Sequence, residues 1–292
     1  MFTHFIVLLF GFGESPIGFI IAIFLLLLLV RLLIGIFKDG FSIARAEKAK
    51  VGELHYGTET RSEVDFQLKA FPYYQRLPQN GKEEFITRCL NFINTFTIEG
   101  EDDYDPNFAA KIHVAAAATE LTFGISDFPF TNFNSVLLYP GIFKMSENGP
   151  LMKGATTPNG TIRISIKDFD EGYAQPTNKL NVGLHEFGHA LFMEFLKKVK
   201  NEDDDSMSNV VYPYLAEADH ILNGGKHNGD FLRAYAFTNR QEFFAVSVEH
   251  FFEAPYEFKE KLPVLYKVMV ALLNQDPTNQ MKIINDKLGE LQ

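Results

Sequence analysis

Residues 181–195 read NVGLHEFGHALFMEF, a mostly apolar run with His185, Glu186 and His189 set in its middle. The preceding QPTNKL (175–180) supplies proline and asparagine start signals, so a helix is expected from here to about Lys200. Lys197, Lys198 and Lys200 in its last turn suit the negative end of the helix dipole. Two histidines four apart share one helical face, with Cβ atoms about 5–6 Å from each other. Both imidazoles can then reach one metal ion at about 2.0–2.1 Å. Glu186 projects to one side, where it cannot be a third ligand of the same ion but can reach a metal-bound water. This is the H-E-x-x-H arrangement, in which the carboxylate is a general base.

A zinc ion in such a site needs a third protein ligand and keeps its fourth position open. A third histidine in the extended form of the motif would need Gly at 192 and His at 195, but Phe192 and Phe195 stand there. A glutamate from a second helix is the remaining common solution, and Glu217 (in YLAEADHIL) and Glu242 (in TNRQEFFAVSVEHFFEAP) are candidates. Glu242 opens an aromatic-rich helix whose face must pack into the body. A carboxylate there is costly unless paired or metal-bound, which favours Glu242. Glu249, seven residues on, lies on the same helical face; it is either a partner for a ligand or a solvated or capping residue.

Outward from the motif, GTIRISI (160–166) alternates isoleucines with polar residues and reads as a half-buried strand, a candidate partner for extended substrate backbone. SVLLYP (135–140) is also strand-like, and a loop containing glycine and proline follows it. FPYYQRLPQNGKEEFITRCLNFINTFTI (71–98) suggests a short helix ended by Pro78, a turn at QNG, and a second helix burying Phe85, Cys89, Phe92, Ile93 and Phe96. NFAAKIHVAAAATELTFG (107–124) is an alanine-rich helix with Gly124 as C-cap, and His113 on it is a core or boundary residue. NEDDD (201–205) is a solvated loop, and NGGKHNGD (223–230) precedes the helix 239–254. A terminal helix pair is expected over roughly 256–274 and 277–289.

The N-terminus differs in kind. IGFIIAIFLLLLLV (17–30), Arg31 and LLIGIF (32–37) make a 21-residue run with one charge, long enough for a helix to cross a bilayer. No Lys or Arg precedes Arg31, and no small-residue cleavage site follows closely, so the run reads as a retained anchor rather than a signal peptide. Arg31, Lys38, Arg45, Lys48 and Lys50 lie at or beyond its C-terminal side and only Glu14 before it. The positive-inside rule then puts the body on the cytoplasmic side of the cell membrane, as a single-pass protein. FIVLLFGFG (5–13) is too short to span. The expected domains are the hydrophobic N-terminus 1–37, a polar juxtamembrane linker 38–62, and a body from Glu63 to 292.

With 27 basic and 37 acidic residues the chain carries a formal charge of −10, which argues against direct nucleic-acid binding. Cys89 is the only cysteine, so no intrachain disulfide forms and a reducing compartment is favoured.

HEFGH followed by YAFTNRQEFFAVSVEHFFEAP resembles the Mlc titration factor A family of zinc peptidases. More distantly it is similar to the protease domain of anthrax lethal factor, a related gluzincin. The resemblance covers most of residues 65 to 257, including FPYYQRLP, EEFITRCLNFI and VLLYPGIF. It implies an α+β, mainly helical zincin-like metallopeptidase domain with a small sheet. It also implies one zinc ion on His185, His189 and Glu242, and a peptide or protein substrate. In that family a tyrosine seven residues before the third ligand assists catalysis, and Tyr235 holds that position; its phenol would donate to the developing oxyanion. Family members often carry an acidic residue shortly after the second histidine, where this chain has Phe192. The family's name comes from titrating a transcriptional repressor, so the alternative is a non-catalytic, membrane-tethered zinc protein that sequesters a transcriptional regulator.

Overall fold

A computed structural model describes residues 58–125, 129–200, 205–224 and 231–279, together with Ile23, Phe24, Leu27 and Arg31. Among the described residues no helix is long and apolar enough to cross a membrane. The anchor expected over 17–37 lies outside them apart from those four positions, as do most of the linker, the NEDDD loop up to Asp204 and the second terminal helix beyond Asn279.

The body opens with α1 (Thr58–Leu68), α2 (Pro72–Gln75) and α3 (Gln79–Thr95), then β1 (Thr97–Gly100) and α4 (Phe108–Thr122). Strands β2 (Ser135–Tyr139), β3 (Gly154–Thr157) and β4 (Thr161–Ser165) lead into α5 (Ile166–Ala174), α6 (Val182–Lys200) and α7 (Asp205–Leu222). A 3₁₀ turn (Ala234–Thr238), α8 (Arg240–Glu253), α9 (Pro255–Lys261) and α10 (Pro263–Leu273) complete it. The fold is thus α+β, mainly helical with one four-stranded sheet.

The sheet order is β1-β2-β4-β3, parallel except for the antiparallel β3–β4 hairpin. Gly160 turns that hairpin with a positive φ of 91°, and a Cβ there would meet the Asn132 carbonyl at 2.3 Å. The TIRISI stretch becomes β4 and buries Ile162 and Ile164 completely. Both of its edges are paired, however, so it cannot take up substrate backbone as expected. The outer strands are β1 and β3, and β3 comes from a Gly-Thr segment too short and too polar to show alternation.

Three further expectations are corrected. Pro78 does not end a helix but caps the start of α3, and QNG forms that helix's first turn. A proline's fixed φ and missing N–H are tolerated there. Phe123, not Gly124, caps α4; Gly124 is needed because a Cβ would meet the Leu273 and Asn274 carbonyls at 2.2 Å. The helix expected over 256–274 breaks at Leu262, where Pro263 starts α10 in the first-turn position proline favours.

Helix α6 is buried almost all round, as a helix at the centre of a body must be. Phe187 packs on Phe92 and Phe130, while Phe192 stacks on Phe244 at 5.3 Å. Burying such a ring contributes about 1.5–3 kcal/mol, enough in sum to carry several polar groups into the same helix. Glu194, fully buried near its end, is satisfied by Thr131 and by the backbone and side chain of Asn132. Where α6 meets α8, Gly188 faces Ala245: a Cβ added to the glycine would come within 3.3 Å of the Ala245 Cα. Two small residues allow this close approach. His185 precedes Gly188 by three positions and Glu242 precedes Ala245 by three, so the crossing sets the two motifs side by side.

Candidate metal centre

Each motif is fixed by a cap. Asn181 starts α6, its side-chain oxygen accepting from the Leu184 N–H at 3.0 Å. Asn239 starts α8 and accepts from the N–H groups of Gln241 and Glu242. From these starts His185 Nε2 and His189 Nε2 stand 3.1 Å apart. Glu242 Oε2 lies 3.2 Å from the first and 3.4 Å from the second. Donors about 2.0–2.1 Å from a tetrahedral ion are about 3.3–3.4 Å from one another, so the three side chains fit a single cation. Glu242 Oε2 is also buried without a hydrogen-bond partner, an uncommon and costly condition that an ion would relieve. Among the described residues these are the one group of three His, Cys, Asp or Glu side chains with that spacing.

Glu186 points elsewhere. Its carboxylate accepts a hydrogen bond from the Thr156 hydroxyl on β3 at 2.8 Å, and Gly154 leaves room for it: a Cβ there would stand 2.4 Å from Oε1. Burial raises the Glu186 pKa, and the two histidines and Thr156 partly oppose that rise. Glu242 behaves differently. Burial pushes it up, but the adjoining imidazoles of His185 and His189 prevail and hold it well below the usual carboxylate range.

Behind His185, Glu249 is 1% exposed and receives the Nδ1 side of the ring at 2.6 Å. That leaves Nε2 of the ring to face the donor cluster. Glu249 is therefore not a solvated residue but a buried partner of His185. The Asn181 N–H and the Arg233 guanidinium also donate to it. Burial lowers the His185 pKa, but Glu242 and Glu249 outweigh it and push the ring up to about 10. His189 has no such support; its Nδ1 is buried with no hydrogen-bond partner among the described residues.

Tyr235 lies on the 3₁₀ turn, 53% exposed, with its ring 6.2 Å from that of His185. Burial and the neighbouring Glu242 carboxylate push its hydroxyl up to about 12, so it stays a donor at neutral pH. Glu217, the other ligand candidate, lies on α7 and is not part of the cluster. His113 on α4 packs edge-on against Phe71 and is likewise outside it. Sequence reasoning missed Thr156 and Arg233, brought in from other stretches of chain, and Asn181, which starts α6 itself.

The family model described as glucose-regulated metallo-peptidase M90 matches residues 46–273. The chain belongs to this family. Among curated relatives, an uncharacterized protein of Synechocystis is 23% identical over 223 residues, 68% of this chain and 78% of that protein. A Mlc titration factor A of Salmonella paratyphi A is 23% identical over 180 residues, 53% of this chain and 64% of its own length. The one from Yersinia pestis is 25% identical over 184 residues, covering 54% and 64%. The chain therefore spans slightly less than two thirds of each of these two titration factors. Membership in M90 makes this a metallopeptidase-like protein, and the His185, His189 and Glu242 group could bind the metal ion that the family name implies.

Proposed function

We propose that this chain is a zinc-dependent peptidase with a zincin-like body, tethered by the apolar segment 17–37 and facing the cytoplasm. His185, His189 and Glu242 hold the ion, and two imidazoles with one carboxylate are a donor set that suits zinc. Bound there, zinc supplies Lewis acidity toward water and a scissile carbonyl. The Glu186 carboxylate takes a proton from the attacking water and returns it to the leaving amine, and its raised pKa suits both transfers. The Tyr235 hydroxyl donates to the oxyanion. An extended peptide adds to the free edge of β3, the strand whose Thr156 holds Glu186.

The observation that carries this reading is the convergence of three donor atoms from two helices with Glu186 aimed beside them rather than among them. A purely structural site has no use for that fourth side chain. In the full-length chain, Glu186→Gln is expected to retain zinc while its hydrolysis of a quenched fluorogenic peptide library falls by about 10²–10⁴. Undiminished turnover would remove Glu186 as the base. The names of the titration-factor relatives favour one other reading, a protein that sequesters a transcriptional regulator. Regulator binding that persists in Glu186→Gln alongside absent peptidase activity in the unaltered chain would establish it.

A further inference from the structure

Arg233 has no part in the chemistry outlined above, yet it ties together the segment leading into α6, Glu249 on α8 and the turn that carries Tyr235. One nitrogen of its guanidinium donates to the Lys179 carbonyl at 2.6 Å, on the segment leading into α6. The same nitrogen donates to Glu249 Oε2 at 3.0 Å, while the other donates to Glu249 Oε1 and lies 3.4 Å from His185 Nδ1. The pairing is two-pronged, which fixes the plane of the carboxylate as well as its charge. Arg233 is also the residue from which the Tyr235 turn starts, its carbonyl accepting from the Ala236 N–H at 2.9 Å.

Charge makes the same point. Glu186, Glu242 and Glu249 bring three carboxyl groups to a largely buried site, and Arg233 is the permanent cation paired with Glu249. Without Arg233, Glu249 would be a buried carboxylate held only by the His185 ring and the Asn181 N–H, neither of which fixes the plane of its two oxygens.

We propose that Arg233 is a positioning residue with two loads: it locks Glu249 onto the outer nitrogen of His185, and it anchors the turn that carries Tyr235. The grip on metal and the placement of Tyr235 thus depend on one side chain. This inference rests on the metal site proposed above.

The test is zinc affinity of the full-length chain, measured by competition with a chromogenic chelator, for the unaltered protein, Arg233→Met, Arg233→Lys and Glu242→Gln. Arg233→Met is expected to bind zinc about 10–100-fold more weakly, the usual effect of losing such a partner. Hydrogen exchange at residues 234–238 should rise in the same variant while α6 stays protected. Arg233→Lys keeps the charge without the two-pronged bond and should weaken zinc several-fold, which provides a reading even if the methionine variant fails to fold. Zinc affinity in either folded variant equal to that of the unaltered chain would overturn the proposal. If Glu242→Gln also matches the unaltered chain, the metal site itself is what fails.

Discussion

Glu242 and Glu120 are both acids placed within a largely apolar body, yet their surroundings push them in opposite directions. Burial alone would raise each. At Glu242 the imidazoles of His185 and His189 reverse the effect, and at Glu249 His185 and Arg233 do so. At Glu120 burial is the largest influence, and neither the charge of Arg76 nor the Tyr173 hydroxyl at 3.2 Å offsets it, so its pKa is raised to about 8. Glu253, which accepts from the Asn181 side-chain amide at 3.2 Å, is raised to about 7. Asn181 thus touches both groups, giving its backbone N–H to Glu249 and its side chain to Glu253. The difference teaches that burial does not by itself make a carboxylate into a ligand. Ionisation inside the body requires a cationic or metal-binding partner within reach.

The contrast can be broken first at β3. Glu186 keeps its position because the strand beside it begins with glycine. In Gly154→Ala the new methyl group would stand 2.4 Å from Glu186 Oε1, so the carboxylate has to move. Peptide turnover is expected to fall by about 10²-fold, the scale of a 1 Å misplacement, with zinc content unchanged. Unaltered turnover would mean that the position of Glu186 does not matter to the reaction.

A smaller effect is expected at Glu120. Its folded pKa is about 8 against an ordinary 4.5, so the folded state holds the proton more tightly. The stability this gives is fully present below pH 4.5 and is lost as pH rises through about 8. The thermal midpoint of the unaltered chain should therefore drop between pH 6 and pH 9. Glu120→Gln should drop less, by a few degrees, since about 1 kcal/mol moves a domain of this size by roughly 2–4 °C. Superimposable pH curves for the two proteins would show that Glu120 is ionised in both states.

How much of this could be read from the chain depends on sequence distance. His185, Glu186 and His189 sit within one helical turn, so spacing alone displays their shared face. Glu242 was singled out because an acid opening an aromatic-rich helix is costly, a local argument about a distant partner. Tyr235 carried no local signal, and only its spacing to Glu242 within a family pattern drew attention to it. Thr156 and Arg233 lie 30 and 16 residues from the glutamates they contact, and nothing in their neighbourhoods marks them; Asn181 stands at the start of the motif helix, but Glu249, to which it donates, is 68 residues away. The same limit applies to the sheet. Alternation revealed β4 and the apolar SVLLYP read as β2, whereas β3, a GATT segment, and β1, a TIEG segment following α3, show no pattern of their own; β1 takes its pairing from β2, far along the chain, and β3 from the hairpin with β4. Hairpin β3–β4 is what turns β4 from an exposed edge into an interior strand.

The most direct test of the central claim is the metal content of the purified full-length chain and of Glu242→Gln after dialysis against a weak chelator. One zinc ion per chain in the unaltered protein, and its loss from a folded Glu242→Gln, is the predicted result. An unaltered chain that neither carries zinc nor takes it up when offered, or a variant that keeps the full complement, would contradict the account.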